Sequence, residues 1–205
     1  MKTDSSIFSK RFLALSVLVL FLAELVLILL SWILSATGME GVRSLLSNEG
    51  IRWFVGGFTD IVDSTLLVWL IILLIALGAF QKSGLPSLIH SNNQITYREK
   101  TALRVSIALF VVYVAVILLL TAIPHAILLS ATGSLFPSPF SRSIIPFTAF
   151  GISLVSVVYG MMSGRLIAHT DVLDALSYGI GRGAPVFVLY ILLIQFVRSM
   201  WFVFA

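Results

Sequence analysis

Few residues in this chain are equipped for chemistry, and two of them sit where charge is expensive. Glu24 lies inside the apolar run Leu22-Ala23-Glu24-Leu25, and Arg198 interrupts the apolar C-terminal stretch. A charge at the centre of a membrane helix costs at least about 2.5–3.5 kcal/mol on insertion scales, so each should have a partner. Counted from the starts of their runs at Phe12 and Ala184, Glu24 and Arg198 lie at depths of roughly 18 and 21 Å, at 1.5 Å per residue. The two are expected to pair, within the chain or across a subunit interface. Gln195 stands one turn before Arg198 on the same face and is expected to join them. Two other readings stay open. Glu24 could instead be a carboxylate that carries a proton or an ion, and Arg198 could snorkel outward past Trp201.

The remaining candidates point away from catalysis. Asp60 and Asp63 fall at the mouth of an apolar run and are expected to be solvated. His90, His125 and His169 lie in separate connections, so no metal site is expected from them. Cysteine is absent, which removes thiolate ligands and nucleophiles. There is no Gly-x-Ser-x-Gly elbow, Ser/His/Asp constellation, phosphate loop or dinucleotide fingerprint. No catalytic residue, metal or cofactor is expected, and the chain is not read as an enzyme.

The elements that position these residues are membrane helices. Hydrophobic residues make up 59% of the chain and charged ones 11%, with a mean hydropathy of +1.09. An ordinary soluble domain is about 45–50% apolar and about 25% charged. The composition excludes a soluble enzyme, a disordered chain and a nucleic-acid-binding domain. Five runs approach the roughly 20 apolar residues that cross a bilayer, at about 12–34, 64–80, 103–123, 144–162 and 184–205. The expected fold is all-α: a polytopic integral membrane protein with five transmembrane helices in a single domain over residues 1–205. The first run is longer than a signal-peptide core and is read as a retained helix. Lys2, Lys10, Arg11, Lys82, Arg98, Lys100, Arg104, Arg165 and Arg182 fall on one side of the spans, against Arg43, Arg52 and Arg142 on the other. By the positive-inside rule the N-terminus is expected in the cytoplasm and the C-terminus outside, in the cell (inner) membrane.

The connections carry detail of their own. Val42, Leu45, Leu46, Ile51, Trp53, Phe54 and Phe58, mixed with charged residues, predict a short interfacial helix with Trp53 at headgroup depth. Gly56-Gly57 would bend it into the second span. Ser83-Gly84-Leu85-Pro86 should end the second helix, Ser91-Asn92-Asn93-Gln94 is turn-like, and Tyr97-Arg98-Glu99-Lys100 should open the third. Pro137 and Pro139 favour an extended segment, with Pro146 in the first turn of the fourth span. Gly151, Ser153, Ser156, Gly160 and Ser163 recur at helical spacing in that span and predict a close helix-packing stripe. Between Ser163 and Gly183 a separate amphipathic helix is expected, capped at Thr170-Asp171. Gly179, Gly181 and Gly183 should loosen the chain after it. Ser35-Ala36-Thr37-Gly38 matches Ser130-Ala131-Thr132-Gly133, a hint of a duplicated helix pair.

Several of these segments resemble the AbgT family of p-aminobenzoyl-glutamate transporters. Leu45-Leu46-Ser47-Asn48-Glu49-Gly50-Ile51-Arg52-Trp53-Phe54 is similar to the segment before that family's second helix, and Lys82-Ser83-Gly84-Leu85 to the end of it. Gly133-Ser134-Leu135-Phe136-Pro137-Ser138-Pro139-Phe140, followed by Ile145-Pro146, resembles a later outer-loop motif. Val158-Tyr159-Gly160, Thr170-Asp171-Val172 and Gln195-Phe196 resemble the elements that come next. Full-length members of the family are much longer and build their substrate and ion site from two re-entrant hairpins. Here only a short loop joins Ser83-Gly84-Leu85 to Tyr97-Arg98-Glu99-Lys100, where the first hairpin would stand, and the sequence reaches Ala205 before the second would begin. The resemblance therefore implies the family's framework helices without its transport core, and it carries no substrate residue over to this chain. The expected role is a framework or accessory subunit packing against itself or another membrane protein. The alternative is a small-solute transporter for aromatic-amide or sulfonamide-like compounds, acting as an oligomer or with a partner chain. The bilayer and a protein partner, not nucleic acid, are the expected surroundings.

Overall fold

The structure, a computed structural model, describes residues 2–90, 96–122 and 138–205. The turn at Ser91–Gln94, His125, the Ser130–Gly133 self-match and the outer-loop motif through Pro137 lie outside the described residues, as do the side chains of Lys2, Lys10 and His90. The elements are α1 (Lys2–Ala36), α2 (Asn48–Ile51), a π-helical turn (Arg52–Gly56), α3 (Phe58–Val62), α4 (Thr65–Ser83), α5 (Leu85–His90), α6 (Tyr97–Ala122), α7 (Pro139–Ser163) and α8 (His169–Phe204). Five segments are long and apolar enough to span a membrane: Arg11–Ala36, Thr65–Ser83, Tyr97–Thr121, Pro139–Ser163 and His169–Phe204. Among the described residues there is no strand.

Two helix starts differ from expectation. α7 begins at Pro139, not near Ile144, because Ser138 and Ser141 form a reciprocal capping box and Pro139 takes the first turn. There its missing N–H costs nothing. Pro146 therefore lies inside the helix rather than in its first turn. The expected separate amphipathic helix and the fifth span are one continuous helix, α8. Near its start, the Asp171 carboxylate accepts hydrogen bonds from the backbone N–H groups of Ile167 and Ala168, both at 2.8 Å. The glycines that follow do not break it.

The chain forms two compact units, Met1–Leu67 with Gly183–Ala205, and Val68–Arg182. In the first, α1 buries Glu24, Leu27 and Ser31 along one stripe, and Leu27, Leu45 and Val203 form a core. The predicted interfacial helix is broken into α2, the π turn and α3, with the change of direction at Gly57, whose φ of −90° and ψ of 4° leave the helix. This segment is tied down by the backbone. Leu45 N–H donates to Ser31 Oγ at 3.1 Å, and Arg43 N–H donates to the Val203 carbonyl at 3.0 Å. Trp53 stacks on Phe202 with ring centroids 4.6 Å apart. Tyr190 donates its hydroxyl to the Val62 carbonyl at 3.0 Å.

The second unit is a packing of helices through small residues. Ala76, Gly78, Ala79 and Ser83 are buried on α4, and Ala175 and Gly179 on α8. A Cβ on Gly78 would meet the Ala175 carbonyl and the Gly179 backbone, so the two backbones lie in direct contact. α6 and α7 pack beside each other, with the Tyr113 ring over Gly151 and its hydroxyl donating to the Phe147 carbonyl at 2.8 Å.

Candidate functional site

Glu24 is 9% exposed and Gln195 6%, within membrane-spanning helices. The structure corrects the expected partner within the chain. Ser199 Oγ donates to Glu24 Oε1 at 2.6 Å, while Arg198 is exposed. The ion pair found among the described residues is Arg165 with Glu99, at 3.6 Å. The physical reason is the helical step. Adjacent residues differ by about 100° around the axis, so Ser199, not Arg198, shares the buried stripe of Gln195 and Val203. Counting residues along the axis does not supply this rotation. Glu24 Oε2 and both polar atoms of the Gln195 amide are buried without a hydrogen-bond partner. Ser31, on the same face of α1 as Glu24, is already used. It donates to the Ile28 carbonyl at 2.8 Å and accepts from Leu45. Ser199 and Ser31 join Glu24 and Gln195 on these buried stripes, and the spacing Gln195, Ser199, Val203 marks the one on α8.

On α7, Gly151, Ser156 and Gly160 are buried, and Ser153 and Ser163 are half-buried. Gly151 accommodates the Tyr113 ring, and Gly160 lies against Leu166, whose Cδ1 would stand 2.6 Å from an added Cβ. Ser153 and Ser163 turn their hydroxyls onto their own helix, at Ala149 and Gly160. Gly78 and Gly179 are close-contact glycines, and Gly179, expected to loosen the chain, instead packs inside the continuous α8. The signal was present as Ala175, Gly179 and Gly183, a small residue every four positions.

The motif loops are structural. Ser47 caps α2 by accepting from Gly50 N–H at 3.0 Å, and Gly50 is buried so tightly that a Cβ would strike the backbone of Ser44 and Leu45. Glu49 and Arg52 are exposed and Trp53 is the stacked ring. Ser83 Oγ donates to the Phe80 carbonyl and accepts from Leu85 N–H. Gly84 then leaves α4 with φ +86°. The exposed Pro139 starts α7.

Two arginines close helix ends in this second unit. The Arg98 guanidinium lies against Gly164, the left-handed residue that ends α7, and its Nε donates to the Met162 carbonyl at 2.9 Å. Arg165 lies against Gly84 at the end of α4, and its Nη2 donates to Ser87 Oγ at 3.0 Å. A cation at a helix C-terminus meets the negative end of its dipole. Arg98→Ala is expected to lower stability by about 0.5–1 kcal/mol, with a smaller loss in high salt, as read from unfolding midpoints in detergent.

Five helices long and apolar enough to cross a bilayer define a multi-pass membrane protein. The sequence model of the AbgT putative transporter family matches residues 52–202, and the chain belongs to that family. Neither the curated proteins nor the solved structures contain a match to it. Membership makes it transporter-like. Glu24 lies outside the matched residues, and Gln195 and Arg198 lie within them.

Proposed function

We propose that this chain is a framework subunit of an AbgT-type assembly in the cell inner membrane, with its N-terminus in the cytoplasm and its C-terminus outside. It packs, as a single domain, against a second copy or another membrane protein that supplies the solute-handling elements. The observation that carries this reading is the link between α4 and α6, residues 84–96, of which Leu85–His90 is already a short helix. A hairpin reaching the midplane of a core about 30 Å thick and returning needs roughly 20 helical residues. The link is too short for one. Transporter sites of this kind are built from broken helices at mid-depth, whereas α4, α6, α7 and α8 each run as one element.

The test is reconstitution. The purified chain alone in liposomes is expected to give no uptake of p-aminobenzoyl-glutamate or a sulfonamide above empty vesicles. The chain isolated in mild detergent with its co-purifying protein is expected to give uptake. Saturable uptake by the chain alone would replace this reading with the transporter reading.

A further inference from the structure

The stripe that holds Glu24 is unfinished as a hydrogen-bonding system. Ser199 gives its one proton to Glu24 Oε1. Glu24 Oε2, Gln195 Oε1 and Gln195 Nε2 are each buried with nothing to bond. An unsatisfied buried polar atom is destabilising, and a charged one more so. Gln195 stands one helical turn before Ser199, the residue that contacts Glu24. The oxygen atoms there, Glu24 Oε2, Gln195 Oε1 and the free lone pairs of Ser199 Oγ, are the hard ligands that small hard cations take. One carboxylate is balanced by one positive charge. A divalent ion would leave a net charge in an apolar setting, which is costly.

We propose that Glu24, with Gln195 and Ser199, is an intramembrane site for one exchangeable monovalent cation, a proton or a sodium ion. Among the described residues no charged neighbour takes that role. α8 presents the uncharged Ser199 to Glu24, Gln195 is buried one turn before Ser199 on the same stripe, and Arg198 is exposed. The segment packed over α1 brings Arg43, which lies over the Phe202 ring at 5.9 Å. α1 carries no other charge between Arg11 and Ala36. The Gln195 amide suits exchange, because it can accept from a protonated carboxyl through Oε1 and donate to an ionised one through Nε2. The site is independent of the framework reading.

Carbodiimide labelling of the full chain in liposomes tests this, since the hydrophobic reagent dicyclohexylcarbodiimide modifies protonated carboxyls within membranes. Glu24 is expected to be labelled, and Glu24→Gln to abolish that adduct in mass spectra. A fall of about tenfold or more between pH 6 and pH 9, equal in sodium and choline salts, assigns the proton. Protection by sodium over choline at fixed pH assigns sodium. Gln195→Leu and Ser199→Ala, checked for helicity and monodispersity, are expected to shift the half-labelling pH by about one unit or the protecting sodium concentration about tenfold. Absence of labelling, labelling that ignores both pH and sodium, or folded variants with unchanged profiles would each overturn the site.

Discussion

Gly179→Ala is expected to cost more than about 3 kcal/mol, at or beyond the upper end of ordinary overpacking penalties. A Cβ at Gly179 would fall on the Leu74 carbonyl oxygen, far inside van der Waals contact, and close to the Gly78 nitrogen. Both obstacles are backbone, so no side-chain rotation relieves the overlap and α4 and α8 must separate. Between membrane helices, association rests on close packing because lipid is as apolar as leucine. Separation therefore removes the main attraction. The control lies two residues on. Gly181 has open space where a Cβ would go, and Gly181→Ala is expected to stabilise by up to about 1 kcal/mol through helix propensity. Thermal midpoints of the two variants in one detergent should move in opposite directions. Equal shifts would show that the glycine contact contributes nothing specific.

The second large effect is expected at Tyr159, which is fully buried on α7. Tyr159→Ala leaves a ring-sized void, and aromatic-to-alanine changes in cores cost about 3–5 kcal/mol. The hydroxyl behaves oppositely to the ring. It is buried without a hydrogen-bond partner, so Tyr159→Phe removes an unsatisfied group and is expected to be neutral or stabilising by about 1 kcal/mol. Unfolding titrations in mixed micelles separate the two. A loss on Tyr159→Phe comparable to that of the alanine variant would mean that the hydroxyl, not the ring, holds the site.

The spans were legible because each is an uninterrupted apolar run, and length alone decides such a run. The helix starts were less so. Polar residues from Pro139 to Ser143 and from His169 to Gly183 do not look like hydrocarbon-crossing sequence, yet they continue the same helices. Gly179 and Gly181 show the limit most directly. Glycine signals either a loose backbone or a close approach, and only the facing helix decides between them. Glu24 was found because an acid in a leucine run is costly anywhere. Its partner required the rotation of α8 about its axis, and counting residues along the axis does not supply that.

The arginines that close α7 and α4 also determine which cations stay available to lipid. Arg98 and Arg165 are folded onto helix ends, Lys82 lies over the Tyr178 ring, and Arg182 bonds Gln81 and Tyr178. Lys100 and Arg104 are exposed one turn apart on α6, where they can meet lipid phosphate. Charge swaps at those two positions would weaken grip on an anionic leaflet while sparing the joints between rods.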